Sequence, residues 1–254
     1  MVTLFGDDFG HPVEKPIAPA RHRVLITVKA APNPSATHGE TVCVAGVILG
    51  DLGATGWIRL YPINFRHLPQ ATEQFRKYDI VSVDCRPAGE ARLESWRPNM
   101  ATLRVESFLP PWRRRRDILD PLIEVSMCGL RNRAKADAQA PSLALVRPDE
   151  VLGFRTERHP GWSRDEQAKI DAYVNQLELD VFEKAQDKTP LTAPRFRGIY
   201  KWRCGEPSCG THEQSIIDWE FVALQRHLWN RSDADLQREL HRRFFEEICS
   251  AKND

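Results

Sequence analysis

Thr41-Val-Cys-Val-Ala-Gly-Val-Ile-Leu-Gly-Asp-Leu-Gly-Ala-Thr-Gly-Trp-Ile-Arg-Leu-Tyr61 is the stretch whose reading decides the fold. Residues 41–49 form a run rich in β-branched side chains, and Trp57 to Tyr61 form a second extended run. The Gly- and Asp-bearing segment 51–56 between them reads as a hairpin-like connection, and Pro62 stops the second strand. Working outward, Arg23-Val-Leu-Ile-Thr-Val-Lys29 precedes this pair and Asp79-Ile-Val-Ser-Val-Asp-Cys85 follows it. Residues 92–96 and 101–108 complete a set of about six short strands separated by turn signals. That pattern predicts a small closed or half-closed β-barrel of the OB or SH3-like kind over residues 21–110. Residues 1–20, with Gly6, Gly10, Pro12, Pro16 and Pro19 and little periodicity, read as an irregular arm.

The remainder, 111–254, reads as an α+β domain. Pro110-Pro-Trp-Arg-Arg-Arg-Arg-Asp117 breaks the β pattern, and residues 118–135 carry apolar side chains at helical spacing. Residues 142–147 and 151–155 read as strands. Ser163 with Glu166 forms a capping box opening a helix to about residue 184. Arg195-Phe-Arg-Gly-Ile-Tyr-Lys-Trp-Arg203 alternates like a strand. Thr211 with Gln214 gives a second capping box, which predicts a helix to about residue 229. Ser232 with Asp235 caps a last helix.

The predicted strand at 195–203 delivers the chain to Cys204-Gly-Glu-Pro-Ser-Cys-Gly-Thr-His212. Two thiols and an imidazole within one turn are the soft donors that zinc or an iron–sulfur cluster takes. Three donors leave one position to fill. Cys128 is the first choice for it, with Cys249 and His227 next. A structural zinc ion held by Cys204, Cys209, His212 and Cys128 is the resulting expectation, with an iron–sulfur cluster as the alternative. Two readings without a metal stand beside it: small residues in a tight turn, and a Cys–His nucleophilic pair.

Period-two alternation in the 57–61 strand puts Trp57, Arg59 and Tyr61 on one face and Ile58 and Leu60 on the other. Aromatics flanking a guanidinium suit unpaired bases and their phosphates, and Arg66 extends the strip. Arg113, Arg114, Arg115 and Arg116, beside Trp112, form the densest positive run and suit a phosphate backbone. The plainer alternatives are that the aromatics seal a domain contact and that the arginines are a solvated linker.

Asp218, Glu220 and His212 invite a metal-dependent nuclease reading. Placed on one helix, however, Asp218 and Glu220 point about 200° apart and cannot clasp one magnesium. No nucleotide-binding glycine loop, nucleophile elbow or HExxH motif is present in the sequence.

The 254 residues carry a net charge of +1, so any attraction to nucleic acid is local rather than global. Neither a membrane-length apolar run nor a signal-peptide layout appears, which predicts a cytoplasmic protein with no membrane partner and reduced cysteines. The functional expectation is a nucleic-acid-binding accessory or recognition protein, its ligand RNA or DNA, single-stranded strands included. The alternatives are a nucleic-acid-processing enzyme such as a nuclease, and a protein–protein adaptor using Trp57, Tyr61, Trp202 and Trp219.

Overall fold

The computed structural model of the chain describes residues 17–35, 39–64, 75–89, 92–111, 113–124, 126–178 and 190–249. Arg66, Trp112 and most of the N-terminal arm lie outside the described residues. The fold is mixed α/β: a large sheet, smaller sheets, and five α-helices among the described residues.

The N-terminal half supplies a seven-stranded sheet. Its strands are β1 (Ala20–Lys29), β2 (Asn33–Ser35), β3 (Gly39–Gly50), β4 (Gly53–Asn64), β5 (Asp79–Pro87), β6 (Ser95–Pro98) and β7 (Arg104–Phe108). Strand β1 pairs with β3, β3 with β4, β4 in parallel with β6, β6 with β5, and β5 again with β1. Strand β7 adds to β5 and β2 adds to β3.

Both faces of β1, β3 and β5 are apolar, which is why the sequence shows continuous runs there rather than strict alternation. Val24, Ile26, Val44, Ile58, Leu60, Val81 and Val83 turn to one core. Leu25, Val47, Leu49 and Ile80 turn to the other, where Leu109 and Leu122 cover them. Pro62 does not end β4, contrary to expectation. The register slips between Val42 and Val44, so Tyr61 and Pro62 together oppose Cys43 in a bulge, where a missing N–H costs no ladder bond.

In the C-terminal half, α1 (Arg113–Leu119) runs into a 3₁₀ turn (Asp120–Leu122) and the short strand β8 (Ile123–Glu124). Then come α2 (Met127–Ala136), β9 (Leu145–Val146), β10 (Glu150–Arg158) and α3 (Arg164–Glu178). The chain ends its described course with β11 (Phe196–Arg203), β12 (His212–Ser215), α4 (Trp219–His227) and α5 (Asp233–His241). Strands β10, β11 and β12 make an antiparallel sheet. Phe196, Phe221, Leu236 and Leu240 pack α4 and α5 onto it. Gly198 sits where a Cβ would come within 2.8–2.9 Å of the Phe221 and Phe154 rings, so the helix rests directly on the backbone of β11.

The β pattern ends where expected, and the arginine run there forms the helix α1. Two further expectations are corrected. The single helix expected over 118–135 is divided, because Pro121 enters a 3₁₀ turn and Ser126 caps a new helix by accepting from the Gly129 N–H. No helix starts at Thr211: His212–Ser215 is extended and pairs with β11, so the free strand edge overrides the local capping pattern. The helix starts instead at Asp218, whose Oδ1 accepts from the Glu220 N–H at 2.8 Å. The capping box at Ser163–Glu166 and the cap at Ser232, which accepts from the Asp235 N–H, are present as read.

The halves are tied at several points. Ala30 forms a β-bridge with Asp218, the Ala31 N–H donates to Ile217 O at 2.7 Å, and Ser142 donates to the buried carboxylate of Glu94. No helix among the described residues is long and apolar enough to cross a membrane.

Candidate metal centre

The hairpin joining β11 to β12 is the Cys204–His212 segment. Trp202 pairs with His212 across the ladder, and the Cys209 N–H donates to Glu206 O at 2.9 Å to close the turn. Cys204 leaves the end of β11, Cys209 follows the turn, and His212 opens β12. The hairpin tip meets the first turn of α2, which carries Cys128. A helix N-terminus favours a thiolate in front of it.

The three sulfurs and the imidazole converge. Cys204 Sγ is 3.8 Å from Cys128 Sγ, and His212 Nε2 is 3.5, 3.4 and 3.3 Å from Cys128, Cys204 and Cys209 Sγ. All four donor atoms lie within 4.8 Å of one another, and they could hold a metal ion. Cys204 and His212 are buried, at 2% and 6% exposure, while Cys128 and Cys209 are half-buried. Cys249 and His227, the other candidates for the fourth position, are exposed and not part of the cluster.

The donor set fits an ion. Tetrahedral bonds of about 2.3 Å to sulfur and about 2.0 Å to nitrogen imply edges of about 3.8 Å between sulfurs and about 3.5 Å from nitrogen to sulfur. The Cys204–Cys128 distance and the three imidazole–sulfur distances match those edges. The thiols are also electrostatically unequal. Burial pushes the Cys204 thiol up, but the backbone N–H groups of Cys128 and Glu206, with His212 and Cys209, outweigh it and hold the group below the ordinary thiol range. Burial pushes Cys128 up, and its neighbours Cys204 and Cys209 add to the rise. Packed thiols resist ionising together, and a cation removes that conflict.

Two supporting residues escaped the sequence reading. Ser126 caps α2 and places its Oγ 3.9 Å from Cys204 Sγ. Trp202 is buried, with its ring centroid 4.8 Å from that of His212. The Ser126 signal was present, a serine just ahead of Met127-Cys128, but the single-helix reading passed over it.

The expected nucleic-acid residues are dispersed. Ile58 and Leu60 do face inward, but Trp57 packs into the cluster with Ile118 and Leu119 under α1. Arg59 donates to Cys43 Sγ and Ser95 Oγ and lies over Tyr61. Of the arginine run, Arg115 stacks on Tyr78 at 3.4 Å and donates to Leu109 O, and Arg116 approaches Asp120 at 3.5 Å. Arg113 and Arg114 are exposed, with no ion pair among the described residues.

Asp218 and Glu220 do converge, since Asp218 lies outside the helix. What they converge on is Lys77, whose Nζ is 3.0 and 2.9 Å from them. The ammonium fills the place that a magnesium ion would need. Trp202, proposed for an adaptor surface, is buried.

The family described as Domain of unknown function (DUF8757) matches residues 123–254, which include all four metal-site residues. A second, described as Domain of unknown function (DUF8758), matches residues 20–121. No curated protein matches the chain.

Proposed function

We propose that this chain, which belongs to the family described as Domain of unknown function (DUF8757), is a nucleic-acid-binding accessory or recognition protein braced by a structural zinc ion. It has two domains in this reading, 21–110 and 111–254. The N-terminal one is a small barrel, a reading supported by the succession of pairings from β1 through β3, β4, β6 and β5 back to β1.

Zinc is supported by the donor set and its edges. Three sulfurs and one imidazole complete a tetrahedron and leave no position for substrate, which is the pattern of a structural site. An iron–sulfur cluster inserts several atoms between its ligands and needs them farther apart than 4.8 Å.

The observation that carries nucleic-acid binding is that Arg113 and Arg114, consecutive on α1, are exposed and have no ion pair among the described residues. Elsewhere Arg155, Arg158, Arg195 and Arg242 each sit on a carboxylate. Two exposed guanidinium groups side by side grip phosphates without reading sequence.

The test is fluorescence anisotropy with single-stranded DNA and RNA oligonucleotides across a salt series. Arg113→Ala with Arg114→Ala should weaken binding to every sequence alike and lower the salt slope by about 1–2. Equal affinity and slope for wild type and variant would remove α1 from the reading.

A further inference from the structure

A crevice of about 520 Å³ separates the two halves, away from both the metal cluster and α1. Its walls bring together Arg59 and Arg92 from the N-terminal half with Arg197 and Arg226 from the C-terminal half. No aspartate or glutamate occurs among the described residues lining it. Its remaining surface is largely apolar and aromatic, with Trp162, Leu191, Phe196 and Phe221.

Four guanidinium groups line one cleft and make it positive, offset in part from outside by Glu157 on Arg197 and by Glu94 near Arg92. Arg197 holds Glu157 at 2.7 Å, and that carboxylate is not part of the lining. Arg226 has no ion pair among the described residues; its guanidinium lies 5.1 Å from the Trp219 ring. Arg59 is held in place by Cys43 and Ser95. Planar donors from opposing walls are suited to a phosphate, which accepts from two sides at once.

The volume lies in the range of small-ligand sites, and aromatic walls beside a phosphate suit a base. From this juxtaposition we infer that the crevice binds one nucleoside phosphate, either free or as a nucleotide of a single strand. The choice of a nucleotide over other organic phosphates rests on the nucleic-acid reading above; the phosphate itself rests on the charge and shape of the crevice.

The experiment is calorimetric titration of the full, metal-loaded chain with adenosine and thymidine 5′-monophosphates, with the unphosphorylated nucleosides, and with a ten-residue thymidylate strand. The monophosphates should bind, and the nucleosides should bind at least about tenfold more weakly. Arg92→Ala with Arg226→Ala, both at exposed positions, should cost the monophosphates about tenfold or more, whereas the α1 double variant should leave them unchanged. Unaltered circular dichroism checks that the fold survives, and Arg226→Glu alone is the second variant. Displacement of the monophosphate by the strand assigns the crevice to a strand nucleotide, and its absence assigns it to a free one. Nucleosides binding as well as nucleotides, or affinity unmoved by the crevice variants, overturns the inference. Strand binding without monophosphate binding also overturns it while sparing the nucleic-acid reading. Monophosphate binding without strand binding supports the crevice and removes that reading.

Discussion

Lys77 Nζ lies 3.0 Å from Asp218 Oδ2, and the same nitrogen lies 2.9 Å from Glu220 Oε2. One ammonium just ahead of β5 thus anchors the start of α4. Lys77 and Asp218 are each about four-fifths buried, with side-chain exposures of 21%. Burial alone lowers the lysine pKa, but the Glu220 and Asp218 carboxylates outweigh it and hold the group above its ordinary value.

Removing Lys77 should therefore loosen the junction of the halves. Lys77→Met leaves a largely buried carboxylate without its cation and should cost about 2 kcal/mol in chemical denaturation. Asp218→Asn should cost a similar amount, and the double variant less than the sum, because the two residues share one interaction. A loss below about 0.5 kcal/mol for Lys77→Met, the size expected of an exposed lysine, would show that the pair does not hold the halves.

At the metal cluster, Cys128→Ser should lower bound zinc well below one equivalent by elemental mass spectrometry. With a loss of about 3 kcal/mol, the melting midpoint should fall by roughly 6–12 °C. Trp202 provides an optical reporter, since its ring lies beside His212, and chelation should change its fluorescence. Cys249→Ser, outside the cluster, should change neither metal content nor melting. A wild-type protein purified without metal, melting as Cys128→Ser does, would end the zinc reading.

A pH dependence follows from the link between Glu94 and Ser142. Burial raises the Glu94 pKa, but Ser142, donating from Oγ at 2.5 Å and from N–H at 2.9 Å, outweighs burial and holds the group below its ordinary value. A depressed carboxylate contributes stability that is fully present above the unfolded value and fades as pH falls through the folded one. Ser142→Ala should thus be less stable than wild type by about 1.5–3 kcal/mol at neutral pH. That gap should narrow as pH is taken from about 5 to about 3.5. Comparing the two proteins at each pH cancels acid loss of the metal, which both share. A gap that stays constant across the range would contradict the assignment.

Strands β1, β3 and β5 were legible because both of their faces are apolar: Val24, Leu25 and Ile26 are all fully buried, and such a run declares itself without partners. Cys128 could be picked from the sequence because thiol chemistry limits the candidates. The strand at His212–Ser215 was not legible. Thr211 and Gln214 imitate a helix start, and only the open edge of β11 decides between the two conformations. The Asp218–Lys77 contact and the crevice were equally hidden, since residues far apart in the chain build both. Helix periodicity puts Asp218 inside a helix, whereas it is the extended residue that caps one, so the separation of about 200° from Glu220 does not hold.

Cys128 precedes Cys204 by 76 residues, whereas Cys204, Cys209 and His212 fall within a single hairpin. A ribosome therefore releases one donor long before the other three exist. On the zinc reading, capture of the ion belongs to the last stage of the chain's maturation, and it joins two distant stretches whose meeting carries a substantial loop-closure cost. On that same reading, the supply of zinc at that moment sets how much newly made chain reaches its finished form.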